Sequence, residues 1–212
     1  LLNQCPHQLD MWQWICGMPV KVDAKLHYGK WHDIEVEDDV TTYVEYENGA
    51  TGTFITTTGD YPGTNRLEIT GNKGKIILEG TTIQLQKLNV GVSDMIRGCQ
   101  TSTELAPIQI ESITLTDDSI PHLGVLQNFT NAILFGEELI SPGYEGINGL
   151  TLSNAAYLSS WLGKEITLPL DEDLYWSLLQ EKIASSKGHT DKRSQSTGEL
   201  AGVYHKRWCG NQ

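Results

Sequence analysis

Asn3, His7 and Asp10 stand at intervals of four and three near the start of the chain. That spacing stacks side chains on one face of a helix. A histidine so placed can take up and return a proton. An amide and a carboxylate one turn away on either side can orient its ring or hold a hydroxyl. Pro6 suits a first turn, where its missing N–H costs nothing. The same pattern also describes an ordinary capped helix with a solvated histidine, and Asp10 could equally be the first-turn carboxylate that a helix dipole favours. Residues 7–16 read as this helix, with Leu9, Trp12 and Cys16 on one stripe and Met11 and Ile15 beside it. So wide a stripe predicts burial on most sides. Gly17 and Pro19 supply the stop.

Other groups could bind a hydroxyl-rich ligand. Trp31-His32-Asp33 and Asp60-Tyr61-Pro62-Gly63-Thr64-Asn65-Arg66 combine aromatic planes with hydrogen-bonding side chains, as a polyol pocket needs. They also have the composition of plain turns. His122 lies at an expected helix start, where it could cap the helix or touch substrate. Asn154 interrupts an apolar stripe and is expected to be buried with partners. Cys5, Cys16, Cys99 and Cys209 form no C-x-x-C pair, and no histidine stands near them in zinc-ligand spacing. Free thiols in a reducing cytosol are expected, and no metal site. Asn128-Phe129-Thr130 has the form of a glycosylation acceptor but sits inside an apolar helical pattern, which discounts it.

A net charge of −12 over 212 residues repels nucleic acid. The 39% of hydrophobic residues is enough for a real core. No apolar run approaches the ~18 residues of a membrane helix. No Gly-x-Gly-x-x-Gly follows a strand, and Asn72-Lys73-Gly74-Lys75 reads as a hairpin turn, so no residue here is assigned to a cofactor.

These groups must be positioned by the elements around them. From Val20 to about residue 115 the pattern has period two. Residues 40–46 and 51–58 flank Asn48-Gly49, the strongest short hairpin signal. Residues 66–71 and 75–79 flank a second turn. Residues 82–86 and 108–115 make further strands, with 89–106 as a long loop. Helical period then returns, with stripes at Leu126, Phe129 and Ile133, at Ile147, Leu150, Asn154, Leu158 and Trp161, and at Leu174, Leu178 and Ile183, the last capped by Asp171. A short strand spans Ile166, Leu168 and Leu170. Hairpins followed by helices predict an α+β fold. Its sheet is open and mostly antiparallel or mixed, with helices on one face and the other face free for oligomerisation. Residues 1–185 form this domain and 186–212 a C-terminal arm or tail.

The chain resembles the C-terminal half of oxidoreductases of the glucose–fructose oxidoreductase and inositol dehydrogenase type (Gfo/Idh/MocA). The likeness covers roughly residues 1–172. It rests on the order of Asn3-x-x-x-His7-x-x-Asp10, Glu37-Asp38-Asp39 leading to Asn48-Gly49-Ala50, Pro62 to Ile69 before Gly71-Asn72-Lys73-Gly74, His122 with Asn128-Phe129, Gly146 to Ala155, and Leu168-Pro169-Leu170-Asp171. The resemblance implies a nicotinamide-binding Rossmann half, with a Glu-Lys-Pro motif, that this chain lacks. It reads the abrupt opening at Leu1 as that of a domain without that half. It implies NAD or NADP bound mainly there, His7 as the catalytic residue, and Asn3, Asp10, Trp31, His32, Asp60, Asn65, Arg66 and His122 as candidates for substrate contact. The substrate would be a sugar, cyclitol or related polyol. The family's sugar and inositol dehydrogenases commonly carry Asp where this chain has Asn3. A non-catalytic sugar-sensing or assembly scaffold is therefore the alternative. Pairing of the sheet face into a homodimer or homotetramer is expected, with no nucleic-acid or membrane partner.

Overall fold

The computed structural model describes residues 1–98, 107–116 and 122–187. In chain order the elements are α1 (Pro6–Cys16), β1 (Lys21–Tyr28), β2 (Glu37–Glu45), β3 (Thr51–Thr57), β4 (Arg66–Gly71), β5 (Gly74–Glu79), β6 (Thr82–Leu88), α2 (Val92–Gly98), β7 (Ile108–Thr114), α3 (Leu123–Phe135), α4 (Gly146–Leu162), β8 (Ile166–Thr167) and α5 (Glu172–Ser185). The fold is α+β, and every strand pair is antiparallel. The strands expected in one layer form two sheets, ordered β3-β2-β1-β8 and β4-β5-β6-β7. The first belongs to a compact unit of Leu1–Gly59 with Glu145–Gln212, the second to a unit of Asp60–Tyr144.

In the first unit the alternation of β1 and β2 sorts their side chains by face. Val22, Ala24, Leu26, Val40 and Val44 are buried in one cluster with Leu9 and Trp12 of α1 and Ala155, Ala156 and Leu158 of α4. Lys25, Thr41 and Tyr43 on the opposite face are exposed. Trp12 stacks on Phe54 with centroids 5.8 Å apart. A Cβ at Gly52 would lie 2.9 Å from its indole, so the ring needs glycine beneath it.

β8 pairs only with Lys21 and Val22. Beyond it, hydroxyls of α4 take the free N–H groups of β1. Ser159 Oγ accepts from Ala24 at 2.9 Å and Ser160 Oγ from Leu26 at 3.2 Å. This satisfies buried donors that a longer strand would otherwise have to meet.

Three helical stripes differ from expectation. α1 is buried only at Leu9, Trp12 and Gln13, and Trp14 is 76% exposed, because the sheet and α4 cover one side only. α4 turns Leu152, Ala155, Ala156 and Ser159 inward and leaves Ile147 and Leu150 exposed. Its small residues let the helix backbone approach the sheet closely. In α5, Tyr175 and Leu178 reach the core while Ile183 is exposed. Asp171 caps that helix as expected, its carboxylate accepting from Leu174 N–H at 2.9 Å.

In the second unit, β4 to β7 pair in sequence order. Their register puts Leu67, Ile69, Ile76, Leu78, Ile83 and Leu85 on one face. The expected loop 89–106 contains α2, whose start is held by Asn72: its Oδ1 accepts from Ser93 N–H at 2.8 Å. Residues 99–106 lie outside the described residues, as does 188–212 of the expected arm. Leu126, Phe129 and Ile133 of α3 are exposed, and the buried residue is Asn128. Its amide donates to Glu137 Oε1 and the Glu138 carbonyl, and its Oδ1 accepts from Ile140 N–H at 2.9 Å. It is a staple for the loop after α3, not an accessible acceptor for a glycan.

Candidate functional site

α1 begins, β1 ends, β2 begins and β3 ends at one end of the first-unit sheet. A cleft of about 30 Å³ opens there between Leu1, Gln4 and Cys5 on one side and Glu37, Asp38 and Thr56 to Thr58 on the other. It has room for a water or two. The Glu37 side chain is nearly buried and its Oε2 has no hydrogen-bond partner.

His7 stands exposed in the first turn of α1, and Asn3 and Asp10 are exposed too. The helix begins at Pro6 without a side-chain cap from Cys5 or Asn3. Asp10 is held from below. Its Oδ1 accepts from Gln13 Nε2 at 2.9 Å, and Gln13 Oε1 accepts from Asn148 Nδ2 at 3.2 Å. Gln13 and Asn148 were not among the candidate residues. The three-residue spacing from Asp10 to Gln13 was the one available signal, and nothing local points to Asn148.

Trp31 and His32 lie on the loop between β1 and β2. Tyr28 pairs with Glu37 and His27 with Asp39, so Asp38 is the extra residue of a bulge. Its carboxylate accepts N–H groups from Lys30 at 3.0 Å, Trp31 at 2.6 Å and His32 at 3.0 Å, and His32 Nδ1 lies 3.3 Å away. Burial alone would raise the Asp38 pKa, but those three N–H groups and the imidazole outweigh it and bring it down to about 2. Asp39 binds Lys30 Nζ at 2.8 Å and Trp31 Nε1 at 3.2 Å. The lysine bond is the main reason its pKa is lowered. On α4 and α5, Trp161 stacks on Tyr175 with centroids 5.6 Å apart, and Tyr157 lies tilted against Trp161 at 5.5 Å. Burial, then the carboxylate of Glu37, raises the Tyr157 phenol.

The first unit thus places His7 and Asp10 on α1, Asn3 in the turn before it, and Trp31 and His32 on one anchored loop. The cleft joins the supports of both sets, Gln4 and Cys5 with Asp38 and Thr58. Asp60, Asn65, Arg66 and His122 belong to the second unit. Asp60 and Asn65 are exposed. Arg66 is committed to Glu79 at 2.9 Å and Glu68 at 2.6 Å. His122 precedes α3 with φ 68° and makes no side-chain cap. Asn154 lacks the expected partner, its buried Oδ1 accepting no hydrogen bond. Among the described residues no cluster of His, Cys, Asp or Glu could hold a metal ion, and no helix is long and apolar enough to cross a membrane.

Residues 1–77 match the family model of the GFO/IDH/MocA C-terminal domain. Over 80% of its length the chain is similar to the WlbA dehydrogenase from Bordetella pertussis, solved with NADH and UDP-GlcNAcA, at 26% identity and a TM-score of 0.58. The likeness to the GFO/IDH/MocA C-terminal domain rests on residues 1–77 and on this solved structure. Two further solved structures share the fold of this chain. One is the aldose-aldose oxidoreductase from Caulobacter crescentus, complexed with glycerol, at 20% identity over 77% of the chain with a TM-score of 0.59. The other is levoglucosan dehydrogenase in complex with NADH and levoglucosan, at 18% identity over 79% with a TM-score of 0.60. The chain spans 44%, 45% and 50% of these three structures, about half of each. No curated protein matches it.

Proposed function

We propose that this domain forms the substrate side of a nicotinamide-dependent oxidoreductase acting on a hydroxyl of a sugar, cyclitol or related polyol, with His7 as its proton-transfer residue. The exposed face of α1 carries this reading. His7 stands open there with Asp10 fixed by Gln13, and Asn3 is exposed in the turn before the helix. The nucleotide-sugar and NADH bound to the Bordetella relative support it.

Oxidising an alcohol removes a hydride from carbon and a proton from oxygen. An imidazole nitrogen of His7 takes that proton and returns it in the reverse direction. Asp10 keeps Oδ2 for a substrate hydroxyl or the His7 ring, because Gln13 engages Oδ1. The Asn3 amide binds a hydroxyl as donor or acceptor. Trp31 and His32 offer an aromatic plane and a second imidazole. Asp60, Asn65, Arg66 and His122 stand in the second unit, and the reading rests on residues of the first. NAD or NADP, when bound, accepts or donates the hydride. The chain contains no Gly-x-Gly-x-x-Gly, so its residues do not fit a pyrophosphate cradle, and another domain would hold the cofactor.

The sheet face opposite the helices is proposed to pair with a second copy in a homodimer or homotetramer. Thr41, Tyr43, Thr53 and Ile55 are exposed on it, and such amphipathic side chains suit a hydrogen-bonded contact between sheets.

Asn3 favours one competing reading, a sugar-sensing or assembly scaffold, since an amide cannot balance an imidazolium charge. His7→Ala in the intact protein separates the two. Turnover of polyols with NAD⁺ or NADP⁺, followed by nicotinamide absorbance, should fall by ~10²–10⁴. Unchanged turnover on an accepted substrate makes His7 structural, and a parent protein that turns over no polyol with either nucleotide favours the scaffold.

A further inference from the structure

We infer that Asp38 is a positioning residue that holds the loop from Gly29 to Ile34 in one shape and so presents Trp31 and His32 to the polyol. This rests on the function proposed above and extends it to a residue outside the candidate set.

Three consecutive N–H groups, those of Lys30, Trp31 and His32, converge on this one carboxylate. Its side chain is fully buried. Such a cradle fixes the backbone of all three residues at once. It exists because Asp38 continues the buried face of β2, in step with Val40, Thr42 and Val44, and so turns a charged side chain inward beneath the loop. A buried carboxylate is tolerated only where hydrogen bonds replace its hydration, and here the loop provides them. The loop is closed on its other side by Gly29, at φ 61°, where a Cβ would fall 2.7 Å from the Ile34 carbonyl oxygen.

The two side chains on this loop are immobilised and yet reachable. Trp31 is 53% exposed. Its indole N–H is held by Asp39 at 3.2 Å, and its ring lies against the backbone of Gly59. His32 Nδ1 lies 3.3 Å from both Asp38 Oδ2 and Thr58 Oγ1, which leaves Nε2 for a ligand. An aromatic plane and an imidazole ordered in advance spare a hydroxyl-rich ligand the entropy of ordering them. Asp38 also lines the cleft with Gln4 and Cys5 at the head of α1, so the loop is displayed at the His7 end of the unit. Asp38 itself has no free edge toward a ligand; it acts through the loop.

Asp38→Asn is close in shape but turns an N–H₂ group toward the loop donors. In the intact protein, assayed on myo-inositol, levoglucosan and UDP-N-acetylglucosamine, it should raise KM about tenfold or more with kcat nearly unchanged, the signature of lost uniform binding. Asp38→Asn combined with His32→Ala should be no worse than Asp38→Asn alone, because both act through the same contact. His7→Ala should do the opposite, lowering kcat and sparing KM. An Asp38→Asn variant with altered thermal stability but unchanged KM overturns the inference, whatever His7 does. A second measurement does not depend on turnover. In nitrogen-correlated NMR spectra of the chain, with the Trp31 indole N–H assigned through Trp31→Phe, the same three compounds serve as probes. At least one should move that signal in the parent and fail to move it in Asp38→Asn. A parent signal unmoved by all three also overturns the inference.

Discussion

Gln13 donates its side-chain amide to Asp10 at 2.9 Å while accepting from Asn148 at 3.2 Å, so a buried glutamine links the exposed face of α1 to the start of α4. Each end of its amide has one partner of the right kind, which fixes its orientation. Gln13→Leu would fill the space but leave the Asn148 donor and an Asp10 acceptor unpaired. The expected loss is about 1–3 kcal/mol in urea unfolding. A variant as stable as the parent would show that the link carries no weight.

Ser159 should matter more than a serine in a helix usually does. It is fully buried, accepts from Ala24 N–H and donates to the Lys164 carbonyl at 2.8 Å. Ser159→Ala strands both partners, so unfolding free energy should drop by about 1–3 kcal/mol. The Ala24 amide should also exchange faster with solvent. Unaltered exchange at Ala24 would refute the role given to this hydroxyl.

Gly59 is required by a neighbour and not by its own backbone. An added Cβ would sit 2.4 to 2.6 Å from three indole atoms of Trp31. Gly59→Ala should therefore push the ring off its seat, at a cost of about 1–3 kcal/mol or less where the exposed ring can swing away. The difference in fluorescence between Gly59→Ala and Gly59→Ala with Trp31→Phe isolates that one tryptophan. It should show a more solvated indole than in the parent.

Acid should undo the loop through Asp38. Its folded-state pKa is about 2 against an ordinary 3.8, so on acidification the unfolded chain takes the proton first. The stabilisation is full above about pH 4 and is lost as pH falls toward 2. Lys30, His32 and Asp39 face the same loop and remain as background. Denaturant midpoints across that window should fall more steeply for the parent than for Asp38→Asn. Parallel curves would mean that the carboxylate charge is not what holds the loop.

Tyr43 lies mid-strand on the helix-free face, opposite Asp23 and Thr53. If copies of the chain pair through that face, Tyr43→Lys places a charge on either side of the two-fold contact and should dissociate it. Light scattering at micromolar concentration reads the outcome. A monomeric parent, or an oligomer indifferent to the change, would reject the pairing.

What the sequence determined alone is what neighbouring residues decide among themselves. The alternation of Val20, Val22 and Ala24 with Lys21, Asp23 and Lys25 specified a strand, and Val22 and Ala24 lie on its buried face, because side chains of a strand alternate with period two. Pro6, Gly17, the Asn48-Gly49 turn and the Asp171 cap set element ends through local backbone preferences. The spacing of His7 and Asp10 set them one turn apart on α1, while the helix start at Pro6 left the expected third member, Asn3, in the turn before it. The tertiary structure decided matters of long range. Periodicity does not say which strands meet, so it could not divide them into two sheets. Of the apolar stripe on α4, Leu158 is buried as hydropathy suggested, yet Ile147 and Leu150 stay exposed and Ala155, Ala156 and Ser159 lie on the inward side near β1. Asn148 meets Gln13 across 135 residues of chain. Asp38 read as one acid among three until the loop from Lys30 to His32 folded its N–H groups onto it. Such partnerships depend on the whole packed arrangement, and no short window of residues encodes them.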